Sequence, residues 1–307
     1  MLIKQKIKQY VFQSNTQQKG KHRIFPNYAI IVTFTILCVT CITDATAKNS
    51  NQDLPIEATL PAIGGILHWI APEMKVHCLL PKGAEPHHFR PSARQLERAN
   101  NSPLLVRSSR DDLAWFKTQH VQSKHILDLW PHDEKGKNHA WLLPSVIGNA
   151  LPLINNALTQ TFPAFKNTIL KHQPDLQHSI KIIEQAWANI AIPLRKHGII
   201  MQHAAWLPLF EAYQIPVLAV LEKGNMGHNH GYNAKKLDQA LKQLQKHPNA
   251  ILIADQRHDD KGLKWLQRQH PSSQLVYLDA VGTCDQPWPL LMQYNIDLLV
   301  AALHKPQ

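Results

Sequence analysis

Hydrophobic residues along the chain occur in short runs that alternate with stretches of helical periodicity. Short apolar runs bounded by Pro, Gly or polar residues are typical of buried strands. They predict strands at 56–60, 75–80, 104–106, 125–129, 198–202, 216–221, 250–254 and 274–278. Apolar residues at spacings of three and four predict helices at 63–70, 93–99, 207–213, 235–246, 260–269 and 287–302. This alternation of strand and helix predicts mostly parallel sheets covered by helices.

The stretch 145–197, between the two strand-rich halves, has few strand signals. Its apolar residues recur at helical spacing and predict an amphipathic helix, at Ile180, Ile183, Trp187, Ile190 and Leu194. A surface helix of one domain is one interpretation; a helical connector between two lobes fits the position better. The prediction is an α/β protein with two Rossmann-like lobes, 48–163 and 198–307, joined by a long connecting helix at 164–197.

The N-terminus has the pattern of a secretory signal peptide. A basic segment precedes an apolar run at 28–42, and Ala45-Thr46-Ala47 supplies a small-x-small cleavage site. An uncleaved membrane anchor is the alternative, but the apolar run is shorter than the roughly 20 residues that a spanning helix needs. We therefore predict that residues 1–47 are removed and that the mature protein is periplasmic.

Charge and cysteine content narrow the function classes. Residues 1–47 account for +5 of the formal net charge of +11, which leaves about +6 on the mature chain. No Lys/Arg cluster is interleaved with aromatic residues, which argues against a nucleic-acid surface. Cys78 and Cys284 remain after cleavage; they could pair in an oxidising compartment, or they could be two separate buried thiols.

Side chains of metal-ligating types follow several predicted strands. His203, Asp255 and Asp279 each end a strand, His87 lies in the loop after the second strand, and His139 lies in the loop before the connector. Ligands of α/β proteins bind at the carboxyl ends of the strands. Three imidazoles and a carboxylate converging there would make a four-coordinate site of the kind zinc favours. Any one of these histidines alone, in a chain with 19, is more simply an ordinary hydrogen-bonded residue.

The loop that carries His87 has its own signals. Pro86 and Pro91 stiffen it, and a stiff loop holds an imidazole ready for a metal. Ser92 followed by Gln95 predicts a capping box that starts the next helix. The alternative is a Pro-rich turn that happens to carry histidines.

Four motifs together resemble the cluster A-I, zinc/manganese-type, solute-binding proteins of ABC importers, over roughly residues 54–305. They occur in the family's order: Gly83-x-x-Pro86-His87-x-Phe89-x-Pro91-Ser92, His139-x-Trp141-Leu142-x-Pro144, His203-Ala204-Ala205 and Leu278-Asp279-x-x-Gly282. The resemblance implies two lobes with one metal ion held between them. It also implies an ABC permease and its ATPase in the inner membrane as partners, a monomer, and no enzymatic turnover.

Carried over by motif, the nitrogen ligands would be His87, His139 and His203, and the oxygen ligand Asp279. Three imidazoles favour Zn²⁺ over Mn²⁺, because imidazole suits zinc better than a harder ion. Glu85 is a substitute ligand if Asp279 is not used.

One segment departs from the family's pattern, and another carries a separate pair of histidines. Asp255 stands in a segment where the family usually has a Glu-Pro-Gln-like sequence, and it is either a residue that orients a ligating imidazole or a strand-end cap. His228 and His230 lie in a Gly/Asn-rich loop, which is either a flexible loop or an accessory metal site.

The predicted function is periplasmic capture of a divalent metal ion, with affinity that falls as pH drops through the histidine range near ~6.5. Two alternatives belong to other classes of protein function. One is a metal chaperone or adhesin-like protein without an importer. The other is a secreted zinc hydrolase, for which the sequence offers neither an H-E-x-x-H pair nor a nucleophile elbow.

Overall fold

The structure, a computed structural model, describes residues 54–86, 89–108, 121, 123, 125–130, 139–222 and 234–304. Within them the chain forms two four-stranded parallel sheets, and a 32-residue helix joins the two lobes. This confirms the predicted fold class. The predicted signal segment 1–47 lies outside the described residues, and the domain boundaries remain predictions.

The first lobe is built on a sheet with the strand order β2-β1-β3-β4. Its strands are β1 (Ile56–Ala58), β2 (Val76–Cys78), β3 (Leu105–Arg107) and β4 (Ile126–Asp128). Its described helices are α1 (Pro61–Ile70) and α2 (Ala93–Asn101). Helix α2 begins with the predicted capping box: the backbone N–H of Gln95 donates to Ser92 Oγ, and the backbone N–H of Ser92 donates to Gln95 Oε1 at 2.8 Å.

The second lobe repeats this topology, with the strand order β6-β5-β7-β8. Its strands are β5 (Ile199–His203), β6 (Val217–Glu222), β7 (Ile251–Asp255) and β8 (Leu275–Leu278). Its helices are α5 (Leu207–Ala212), α6 (Ala234–Lys246), α7 (Lys261–Gln269) and α8 (Trp288–Leu303). In each sheet the chain order reverses beside the first strand, which leaves a crevice at the carboxyl ends of the central strands.

The connecting segment is helical. Helix α3 (Pro144–Thr161) leads through a short 3₁₀ turn, Pro163–Phe165, into helix α4 (Lys166–His197). All five residues of the predicted apolar stripe of α4 are buried. At 1.5 Å per residue, α4 is about 48 Å long and reaches from one lobe to the other.

The two lobes are also joined directly. Helix α1 of the first lobe packs against α8 of the second, where the rings of Trp69 and Trp288 lie 5.7 Å apart. A disulfide joins Cys78, at the end of β2, to Cys284, in the loop after β8, with their Cα atoms 5.9 Å apart. Cys78 and Cys284 are therefore paired rather than two separate thiols. A Cβ on Gly64 would overlap both sulfur atoms, so glycine leaves the space for this bond.

The buried apolar residues form one large cluster that extends through both lobes and the connecting helices. A smaller cluster lies under the other face of the second sheet, around Ile200 and Leu252. Among the described helices, none combines the length and the apolar character needed to cross a membrane.

Candidate metal centre

The candidate site lies at the carboxyl ends of two adjacent strands of the second lobe. His203 is the last residue of β5, and Asp255 is the last residue of β7. Strands β5 and β7 pair directly in the sheet, at the place where its chain order reverses. Both side chains therefore face the crevice where open α/β sheets bind ligands.

Three imidazoles stand side by side at this edge. The ring of His203 lies between those of His139 and His258, with centroid distances of 5.1 Å and 4.3 Å. The His203 and His258 rings are stacked, with 14° between their planes. His139 and His203 are 5% and 7% exposed. The surrounding protein thus removes most of the water that would otherwise solvate these nitrogens.

Two carboxylates accompany the imidazoles. His258 Nδ1 lies 3.4 Å from Asp255 Oδ1, and His258 Nε2 lies 3.5 Å from Glu85 Oε1. One possible ligand atom each from His203, Asp255 and His258 lies within 4.8 Å of the others. Glu85 belongs to the first lobe, so the imidazoles and carboxylates at this edge come from both lobes.

Asp255 is held in its ionised form. Burial alone would raise the pKa of this carboxyl group, but other contacts lower it below its ordinary value. These contacts are the hydrogen bond and charge of His258, the backbone N–H of Arg257 at 2.9 Å, and the charge of His139. The result is a buried carboxylate rather than a buried acid.

His139 enters the site from the loop before α3 with an unusual backbone. Its φ of 62° lies in the left-handed region, and it immediately precedes a 3₁₀ turn, Ala140–Leu142. Such a conformation costs a non-glycine residue about 1–2 kcal/mol. The neighbouring Trp141 fixes this segment, because its indole N–H donates to the carbonyl of Ala280 at 2.6 Å. The strained residue is therefore anchored to the second lobe.

Asp279 has different partners. Its Oδ1 accepts hydrogen bonds from Arg257 Nη1 at 2.6 Å and from the backbone N–H groups of Val281 and Gly282 at 3.0 Å and 2.9 Å. The second amino group of Arg257 donates to the Gly282 carbonyl at 2.8 Å. Three donors thus converge on one oxygen of this carboxylate.

The structure brings together two of the four predicted ligands, His139 and His203, and places Asp279 in an ion pair with Arg257. His87 lies outside the described residues, as do His88, His228 and His230. His258 is not among the ligands predicted from the sequence. The spacing Asp255-x-x-His258 directly after a predicted strand was the signal available for it, and the turn is closed by a bond from the His258 N–H to the Asp255 carbonyl at 3.2 Å.

Comparison with known families gives one match that covers most of the chain. The family model described as zinc-uptake complex component A, periplasmic, matches residues 56–302. No curated protein sequence matches the chain.

Solved structures share the two-lobed fold. A crystal structure of ZnuA superposes with a TM-score of 0.70 at 15% identity, covering 81% of this chain and 99% of the other. The periplasmic zinc-binding protein TroA from Treponema pallidum gives a TM-score of 0.70 at 14% identity, covering 82% and 100%. The solute-binding protein FpvC of P. aeruginosa, solved in complex with Ni²⁺, gives 0.65 at 18% identity, covering 81% and 96%. At these identities the likeness establishes the fold.

Proposed function

Because this chain belongs to the family of the zinc-uptake complex component A, periplasmic, we propose that it captures a divalent metal ion between its lobes. In this proposal the mature protein is a periplasmic monomer. It delivers the ion to an ABC permease driven by an ATPase in the inner membrane.

The observation that carries the proposal is the pair of buried imidazoles, His139 and His203, at the boundary between the lobes. They lie more than 60 residues apart in the sequence, one in a loop and the other at the end of β5, yet their ring centroids are 5.1 Å apart. Glu85 brings the loop of the first lobe to the same place, through its contact with His258. His87 follows two positions later in that loop, and we retain it as a proposed ligand.

Zinc is the metal we propose. The site is rich in imidazole and its carboxylates are few, a donor set that favours zinc over a harder ion such as Mn²⁺. Proteins of the same fold are described as zinc-binding or as a complex with Ni²⁺, so the binding measurement below includes nickel as well as zinc.

The proposed role is binding without turnover. A site closed by four protein ligands leaves no open position on the metal for a water molecule or a substrate. Its chemistry is then limited to taking up the ion and giving it up.

Native mass spectrometry of the chain from residue 48 onward, before and after chelator treatment, tests the proposal. We expect one zinc ion per chain, which the chelator removes and added zinc restores. His203→Ala should lose it, whereas the control His247→Ala, at an exposed histidine after α6, should keep it. A wild-type protein that binds no zinc, manganese or nickel would contradict the proposal.

The delivery step is tested in the source bacterium under zinc limitation. Deleting the gene should reduce uptake of radioactive zinc, and the wild-type gene, but not the His203→Ala gene, should restore it. Unchanged uptake in the deletion strain would instead favour a metal chaperone without an importer.

A further inference from the structure

The three side chains of the compact metal-binding group, His203, Asp255 and His258, all belong to the second lobe. They project from the ends of two paired strands and from the turn after β7. Their ligand atoms already lie within 4.8 Å of one another, and strands with fully buried residues hold two of the three. Such an arrangement needs little movement to close around one ion, because rigid elements position it.

Arg257 separates this group from Asp279. Its backbone N–H donates to Asp255 at 2.9 Å, while its guanidinium group, on the other side, pairs with Asp279 at 2.6 Å. The side chains of Arg257 and Asp279 are only 9% and 12% exposed. Turning Asp279 toward a metal would leave a buried guanidinium group without its carboxylate, which is costly.

We propose that this chain coordinates its metal through His203, Asp255 and His258, with Asp255 as the oxygen ligand in place of Asp279. The inference rests on the proposed function, and it changes the ligand set of that site. Asp279 then serves to hold Arg257, and Arg257 in turn fixes the turn that presents Asp255 and His258.

The first lobe contributes side chains beside these three ligands. The ring of His139 lies 5.1 Å from that of His203, and Glu85 Oε1 lies 3.5 Å from His258 Nε2.

Zinc affinity of the metal-free full chain, measured by competition with a chromophoric chelator, tests the ligand set. His258→Ala and Asp255→Asn should each weaken zinc binding by about 100-fold or more, because losing a ligand should cost at least as much as the largest losses seen on removing a partner of a ligand. Asn at position 255 keeps an oxygen that accepts the Arg257 N–H. Asp279→Asn, which likewise keeps an acceptor for Val281 and Gly282, acts only through Arg257 and should weaken zinc binding by about tenfold, clearly less than either ligand variant.

X-ray absorption at the zinc edge gives a second measurement, the number of imidazoles bound to zinc. This number would not change if His258 had only a structural role. His258→Ala should show one imidazole fewer around zinc than the wild type, and His247→Ala should show the same number. Circular dichroism checks folding. His258→Gln, which keeps a polar side chain of moderate size, replaces the alanine variant if that variant does not fold.

The failures of the two proposals are distinguishable. If Asp279→Asn loses zinc while Asp255→Asn and His258→Ala bind it as the wild type does, this inference is overturned and metal capture stands. If the wild type binds none of the metals tested, the proposed function fails and this inference fails with it.

Discussion

Arg257 shows how a single residue organises the region around the site. Its main chain and its side chain reach two different carboxylates, Asp255 and Asp279, and its guanidinium group also binds the Gly282 carbonyl. All of these partners lie at, or just after, the carboxyl ends of β7 and β8. One side chain thus fixes the relative positions of two loops that the sheet itself does not hold.

We expect Arg257→Met to lower the free energy of unfolding of the metal-free protein by about 3 kcal/mol. The reason is that breaking a buried ion pair strands the remaining charge, and both side chains here are largely buried. Urea unfolding in the presence of chelator measures the change. Lys242→Met, which removes an exposed ion pair with Asp238, is the control and should cost no more than ~0.5 kcal/mol. Equal losses of unfolding free energy in the two variants would show that the buried ion pair contributes no more than the exposed one.

At the same scale, His139 and His203 could be predicted as site residues from the sequence, whereas His258 could not. The first two lie in motifs with flanking residues that mark them, whereas His258 lies in a polar run, Gln256 to Asp260, that resembles an ordinary surface turn. Its proximity to Glu85 joins positions 173 residues apart. No local pattern encodes such a contact, because it depends on how the two lobes meet.

At the scale of elements, the alternation of apolar runs and helical periodicity was sufficient to predict every strand of both sheets. All eight predicted strands form, each within two residues of its predicted bounds. The runs are short and mainly apolar, as in strands of a parallel sheet that is covered on both faces. Strand order could not be predicted, because neighbouring strands such as β5 and β7 are separated in the sequence by another strand, β6, and two helices.

The contact between α4 and the end of α5 gives a prediction about alkaline pH. Tyr213, which follows α5, packs against Trp187 of α4 with ring centroids 6.3 Å apart, and its hydroxyl donates to the Glu184 carbonyl. Burial, and then the nearby charge of Glu184, raise the pKa of Tyr213 to about 12. In the unfolded chain a tyrosine loses its proton near ~10.

Between these two values the unfolded state releases a proton that the folded state keeps, so stability should fall as pH rises from about 10 toward 12. Urea unfolding across this range should show a steeper decline for the wild type than for Tyr213→Phe. Tyr294→Phe, at a tyrosine 43% exposed, should decline as steeply as the wild type. Identical slopes for the wild type and Tyr213→Phe would contradict the assignment.

At the scale of the whole molecule, the contacts that join the lobes include helix α4, the packing of α1 against α8, the hydrogen bond from Trp141 to Ala280, and the disulfide. The disulfide closes a loop of 206 residues, nearly the full length of the described chain. The disulfide could not be predicted from the sequence alone, because no local pattern around either cysteine identifies its partner. Its presence is in keeping with the oxidising compartment that the N-terminal segment predicts.

Replacing both cysteines by alanine should lower the free energy of unfolding by about 5 kcal/mol, because a cross-link over so long a loop strongly restricts the unfolded chain. Guanidinium unfolding with and without reductant measures this. Reductant should shift the midpoint of the wild type toward that of the Cys78→Ala/Cys284→Ala variant and leave the variant itself unchanged. A wild-type midpoint that does not respond to complete reduction would refute the expectation.

Gly64 has a consequence for the history of this chain. Because a methyl group at position 64 would occupy the space of both sulfur atoms, the glycine and the two cysteines form a group of three that cannot vary independently. A chain that keeps both cysteines needs glycine at position 64, and loss of the disulfide relaxes that requirement. Position 64, which touches no metal ligand, should therefore covary with positions 78 and 284 among relatives.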